Sequence, residues 1–192
     1  MSFILDWFNN ILEYMGVVKK KVNIIFIGLD NSGKSTLLHL LKTGNITQAA
    51  PTVQHTSEEF SLHNLTITAH DLGGHAQSRH IWKTYFDATD GIVFMVDAAD
   101  RPRFQEVKNE ITKTLLDPDI ADIPIAILAN KIDLPDAVSE EEFKSIMMLN
   151  DCCTGKLKPT TSITKRPFEV FMCTLKKKSG YGLCFKWLAN SV

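Results

Sequence analysis

Three short motifs hold residue types that act on phosphate, metal and base. The first, Gly28-Leu29-Asp30-Asn31-Ser32-Gly33-Lys34-Ser35, satisfies G-x-x-x-x-G-K-[ST]. Its glycines let the chain curl until backbone N–H groups face inward around phosphate oxygens, and a following helix adds the positive end of its dipole. Lys34 supplies a mobile cation for the outer phosphates of a nucleotide. Ser35 supplies a hydroxyl for Mg²⁺, with Thr36 one step further into the helix. The second motif is Asp71-Leu72-Gly73-Gly74-His75. A carboxylate at Asp71 can hold a metal-bound water, and the N–H of Gly74 can meet a γ-phosphate. An Asp-Gly turn after a strand is common by itself; its place downstream of a phosphate loop gives it meaning.

The third motif, Asn130-Lys131-Ile132-Asp133, addresses the base. Asp133 can accept hydrogen bonds from guanine N1–H and the 2-amino group. Adenine offers neither donor there, and the unpaired carboxylate would disfavour it by on the order of 10⁴-fold. Asn130 can meet the other edge of the base or tie loops together, and the stem of Lys131 can cover the base plane. Between the first two motifs, Pro51-Thr52 offers one more hydroxyl. Thr52 would ligate Mg²⁺ only while a γ-phosphate is present, ordering its loop; a surface turn threonine fits the spacing equally well. The motifs together imply GTP or GDP with Mg²⁺.

The elements that must position these residues are legible as alternating runs. Val22 to Ile27 is a β-branched run ending at Gly28, and Gly33 to Leu41 reads as a helix. Glu58 to Leu62 can pair with Leu65 to Asp71 through a turn at His63-Asn64. Leu65, Ile67 and Ala69 alternate with polar residues, as in a half-buried strand. Ile92 to Val96, Ile125 to Leu128 and Val170 to Met172 are continuous apolar runs, suited to parallel strands covered on both faces. Helices are predicted over 75–86, 103–116, 139–149 and 181–190. This alternation predicts an α/β fold of the P-loop NTPase kind: a doubly wound, mostly parallel six-stranded sheet, one antiparallel edge strand, and helices on both faces. The polar segment 151–166 reads as a long surface loop.

Composition narrows the function further. A net charge of −1 gives no basic footprint, so nucleic acid is not an expected partner. Cys152, Cys153, Cys173 and Cys184 form no C-x-x-C pair and read as reduced thiols. No apolar stretch reaches the length of a membrane span, and the N-terminus does not read as a secretory signal. A metabolic P-loop kinase would need an acceptor pocket and an arginine-bearing lid, and no segment reads as one. Arg79, on the predicted helix after His75, reads as a solvated face residue.

Taken together, the chain resembles the small GTPase superfamily. Gly28 to Asn31, Pro51-Thr52 and Asp71 to Gly74 look like its Arf/Sar branch. Met1 to Ile4, Thr56 to Glu59, Asp71 to His75, Gly91 to Phe94, Ser139 to Glu141, Phe171 to Cys173, Gly180 to Gly182 and Trp187-Leu188 look like the Sar family, the GTPase that starts COPII coat assembly on the endoplasmic reticulum. The resemblance implies that His75, where most small GTPases have glutamine, helps place the attacking water. It implies that Cys173-Thr174-Leu175 is a third base-binding loop whose backbone contacts guanine. Thr174 and Leu175 stand where the family usually has Ser and Val, Ser35 where Thr is more usual, and Ser32 where Ala is. Asp30 stands beside the phosphates, where an anion has no evident use unless it approaches the metal or a water on it. Turnover should be slow alone, because an arginine from a partner is worth about 10³–10⁵ in rate. The implied partners are an exchange factor in the endoplasmic reticulum membrane and the COPII inner-coat subunits, whose GTPase-activating member supplies that arginine. The implied location is the cytosol, cycling onto the cytoplasmic face of endoplasmic reticulum and Golgi membranes.

Two units are expected: residues 1–18 as an amphipathic membrane-binding helix and 19–192 as the nucleotide-binding domain. Within residues 3–15, Phe3, Ile4, Trp7, Phe8, Ile11, Leu12 and Met15 share one helical face, and Lys19 to Lys21 follow. Such a helix can enter a lipid surface or pack on its own domain. Ser2 is not a myristoylation glycine, and Asn190-Ser191-Val192 holds no prenylation cysteine, so buried apolar area must do the anchoring.

Overall fold

The computed structural model describes residues 20–46, 56–62, 65–156 and 166–192. Thr52, the 3–15 face and most of the expected 151–166 loop lie outside the described residues. Among the described residues, six strands form one sheet in the order β2-β3-β1-β4-β5-β6. They are β1 (Lys20–Ile27), β2 (Thr56–Leu62), β3 (Leu65–Asp71), β4 (Gly91–Asp97), β5 (Ile125–Asn130) and β6 (Phe168–Met172). β2 runs antiparallel to β3 at the edge, and all other pairings are parallel. This is the doubly wound sheet predicted above.

The central strands are apolar along most of their length, Ile24–Ile27 in β1, Ile92–Val96 in β4 and Ile125–Ala129 in β5, because both of their faces are covered there. Val22, Ile24 and Phe26 of β1 pack with helix α1 (Lys34–Thr43) and the C-terminal helix α4 (Tyr181–Ala189). Ile25 and Ile27 point the other way, against a 3₁₀ segment (Ala76–Ala88), α2 (Phe104–Leu116) and α3 (Glu140–Met147). The period of two along one strand thus feeds two separate cores. α3 starts where Ser139 accepts a hydrogen bond from the Glu142 N–H at 3.1 Å, with three glutamates in its first turn favouring the positive helix end. The 75–86 helix is present but winds as 3₁₀ over its whole length, tighter than the α-helix its periodicity suggests. Trp82 and Phe86 are its buried anchors.

Parallel β1, β3, β4, β5 and β6 deliver Gly28, Asp71, Asp97, Asn130 and Cys173 to one edge of the sheet, at the carboxyl ends of the strands. In open α/β sheets that edge is where ligands bind.

Candidate nucleotide site

A cavity of about 410 Å³ opens at that edge. Asp30, Asn31, Gly33, Lys34, Ser35, Thr36, Gly74, His75, Asn130, Lys131, Asp133 and Leu175 line it, so three motifs distant in sequence meet in one place. Ser32, Asp71, Cys173 and Thr174 are buried behind this lining. Ile46, Leu134 and Lys176 also line the cavity. Sequence reasoning missed them, although Leu134 and Lys176 directly follow motif residues.

The phosphate loop has the backbone its sequence demands. Gly28 has φ of 128°, and a Cβ there would lie 2.1 Å from the Met95 carbonyl oxygen. Gly33 caps α1 in the left-handed region, so the helix opens toward the cavity without a side-chain cap. Ser32 Oγ donates to Leu29 O at 2.8 Å and stiffens the loop. Lys34 Nζ donates to Gly28 O and Leu29 O at 3.0 and 2.8 Å. Burial lowers its pKa to about 8, against the opposing pull of Asp71. Ser35 Oγ and Asp71 Oδ2 are hydrogen-bonded at 2.5 Å. The pair is all-oxygen and close to the N-terminus of α1, a donor set that suits a small hard divalent cation completing its shell with phosphate and water. Among the described residues no cluster of three or more His, Cys, Asp or Glu competes for a metal.

Asp30 is engaged by an arginine that the sequence reading did not name. Arg103, just before α2, donates to Asp30 Oδ1 at 2.9 Å and Oδ2 at 3.2 Å. This bidentate bond holds the Asp30 carboxyl below its usual range despite partial burial. The puzzle of an anion beside the phosphates is thereby answered: Asp30 is neutralised. Arg79 is a correction. Its side chain is only 10% exposed, and it pairs with Glu106 and Glu110 rather than with solvent.

At the base corner, Asn130 ties loops together. Its Nδ2 donates to Ser32 O at 3.0 Å, and its Oδ1 accepts from the Leu175 N–H at 3.2 Å and from the Cys173 thiol. Thr174 Oγ1 donates to Asp133 Oδ1 at 2.6 Å, which lowers the Asp133 pKa and orients the carboxylate. Lys131 has positive φ (68°) and pairs through Nζ with Asp97 at 2.6 Å, leaving its stem along the cavity. The N–H groups of Cys173, Thr174 and Leu175 donate to Ala129 O, Ser179 O and Asn130 Oδ1. The loop for which the resemblance implies a backbone contact with guanine also braces Asn130 and Asp133. All four cysteines are free thiols, as expected.

A phosphate loop after the central strand of such a sheet, with an Asn-Lys-x-Asp loop after β5, defines a P-loop GTPase. The chain belongs to the ADP-ribosylation factor family of small GTPases, enzymes that hydrolyse GTP; the sequence model of that family matches residues 8–192. It is 43% identical over 185 residues to the small COPII coat GTPase SAR1 of Giardia intestinalis, covering 96% of this chain and 97% of that one. It is 36% identical over 197 residues to the small COPII coat GTPase SAR1 of Nicotiana tabacum, covering 99% of each. Its fold is similar to that of the Arl6 BBS3 small GTPase from Trypanosoma brucei with bound nucleotide analogue GppNp. That similarity has a TM-score of 0.75 and 31% identity, over 88% of this chain and 96% of that one.

Proposed function

We propose that the chain is a Sar-type switch that holds GTP with Mg²⁺, hydrolyses it slowly, and recruits the COPII coat to endoplasmic reticulum membranes for transport to the Golgi. The observation that carries the nucleotide part is that one cavity is lined by the Lys34–Ser35 cradle at one end and Asp133 at the other. Lys34 exchanges its two loop carbonyls for phosphate oxygens. Ser35, Asp71 and, in the GTP state, Thr52 hold Mg²⁺, which supplies charge neutralisation at the phosphates. The Gly74 N–H meets the γ-phosphate, and His75, exposed at the cavity rim, orients the attacking water. Asp133 selects guanine, Asn130 and Lys131 shape its pocket, and Cys173 to Leu175 brace it.

The coat assignment is supported by identity along nearly the full length of two relatives that carry that name. On this reading residues 1–18 form a helix whose apolar face, led by Trp7 and Phe8, enters the bilayer in the GTP state, and 19–192 form the GTPase domain. Among the described residues no helix is long and apolar enough to cross a membrane, so attachment rests on that face. An exchange factor in the endoplasmic reticulum membrane loads GTP, and the GTPase-activating subunit of the inner coat supplies an arginine. Flotation of the full chain with liposomes and purified inner-coat proteins tests the proposal. Recruitment with a GTP analogue and release with GDP are expected; equal binding in both states would contradict it.

A further inference from the structure

The segment after the second motif holds its own glycines by their carbonyls. Trp82 Nε1 donates to Gly73 O at 3.1 Å, and Arg79 Nε donates to Gly74 O at 2.9 Å. These carbonyls belong to two successive peptide planes. The first plane carries the Gly74 N–H, and the second leads into His75. Trp82 is itself wedged in the core, edge-on to Phe94 with ring centroids 6.0 Å apart. Arg79 is fixed from the other side: its Nη2 donates to Glu106 Oε1 at 2.7 Å, and its Nη1 to Glu110 Oε1 at 3.4 Å. Glu106 gives its second oxygen to Arg103 Nε at 2.8 Å, and Arg103 in turn grips Asp30 of the phosphate loop. Gly74 lies directly against that loop, since a Cβ there would be 2.3 Å from the Asp30 nitrogen. A continuous path thus runs Asp30, Arg103, Glu106, Arg79, Gly74 carbonyl, and α2 anchors it through buried Phe104, Val107 and Ile111.

We infer that Arg79 is a positioning residue for hydrolysis: braced by Glu106 on α2 and, through it, by Arg103 just before that helix, it sets the Gly74–His75 peptide plane relative to the phosphate loop. The inference rests on the roles given to Gly74 and His75 above. Isolated exposed ion pairs contribute little, but here each guanidinium serves separate acceptors in one plane, a geometry lysine cannot reproduce. Both loops also report to the same helical turn, so a disturbance at Glu106 displaces the catalytic backbone without touching a nucleotide-lining side chain.

The test is single-turnover GTP hydrolysis by the full chain, with GDP release and thermal midpoint measured alongside, for Arg79→Gln, Glu106→Gln, their double variant and His75→Ala. Arg79→Gln and Glu106→Gln should each slow hydrolysis about 10- to 100-fold, the scale of a small misplacement near the reacting atoms. GDP release should stay within a few-fold of wild type. The double variant should be no slower than Arg79→Gln, because both break one path. Should Arg79→Gln fail to fold, Glu106→Gln, at a side chain 38% exposed, carries the test. Hydrolysis at the wild-type rate in folded variants overturns the inference, as does slowing matched by an equal change in GDP release and a lowered midpoint. His75→Ala separates the two readings: if it hydrolyses at the wild-type rate, the assignment of the site itself fails. If it is slow while the Arg79 and Glu106 variants are not, only the positioning path fails.

Discussion

The two ends of the cavity are built from different interactions. At the base end, Asn130 is buried with its amide spent on Ser32, Cys173 and Leu175, and Asp133 is held by the neutral hydroxyl of Thr174. All but the bond to Ser32, which reaches the loop after β1, join the ends of adjacent strands β5 and β6, so the geometry is largely that of the sheet. At the phosphate end, every contact includes a charged group: Lys34 on loop carbonyls, Ser35 on Asp71, Arg103 on Asp30, Arg79 on Gly74. On the proposed function, phosphate oxygens and Mg²⁺ replace the partners of Lys34 and Ser35, while Arg103 and Arg79 keep joining the loops. On that same proposal, the comparison teaches that recognition of the base is preformed, while the response to the γ-phosphate lies in charged contacts between loops.

The contrast breaks first at Lys34. Lys34→Met should weaken GDP binding by about 10²–10⁴-fold, since two charge-assisted hydrogen bonds are lost at roughly 1.5–3 kcal/mol each. Titration with a fluorescent GDP reads this, and the thermal midpoint should change little or rise, because a buried cation is removed. Asn130→Ala should behave in the opposite way. It leaves Ser32 O and the Leu175 N–H without their partner in a buried place, which costs about 1–3 kcal/mol per group in stability. The midpoint should therefore fall along with affinity, and denaturant unfolding would measure it.

Which residues the sequence revealed follows the same division. Strands β1, β4 and β5 were legible because burial on both faces demands unbroken apolar runs, and Lys34, Asp71 and Asp133 because chemistry fixes their spacing. Arg79 was misread as solvated because its partners Glu106 and Glu110 stand 27 and 31 residues away, a separation that leaves no periodic signal. Arg103 escaped for the same reason: its partner Asp30 is 73 residues distant. Asp97, at the end of β4, was a findable partner for Lys131, since a carboxylate at a strand end faces the ligand edge. The 3₁₀ winding of Ala76–Ala88 goes with carbonyl bonds from Arg79 and Trp82 that periodicity does not encode.

Smaller effects sharpen the comparison. With Lys34 lowered to about 8, the free protein loses that proton as pH rises through 8, while phosphate oxygens hold it in the complex. Below pH 8 GDP affinity should be flat in this respect; between pH 8 and 9 it should fall, by at most about tenfold, since one pKa unit is 1.36 kcal/mol. Calorimetric titrations at pH 7, 8 and 9 would show it, and a rise in affinity with pH would contradict it. Thr174→Val removes a single donor from half-buried Asp133. It should cost about 1 kcal/mol, roughly a fivefold loss in preference for guanine over adenine nucleotides, with hydrolysis of bound GTP unchanged.

The most direct measurement is the ratio of GDP to ADP affinity in the full chain, alone and as Asp133→Ala. A preference for GDP of on the order of 10⁴-fold, collapsing in the variant while Lys34→Met weakens both nucleotides alike, is the predicted result. Equal affinity for the two nucleotides, or a preference that survives without the Asp133 carboxylate, would contradict the account.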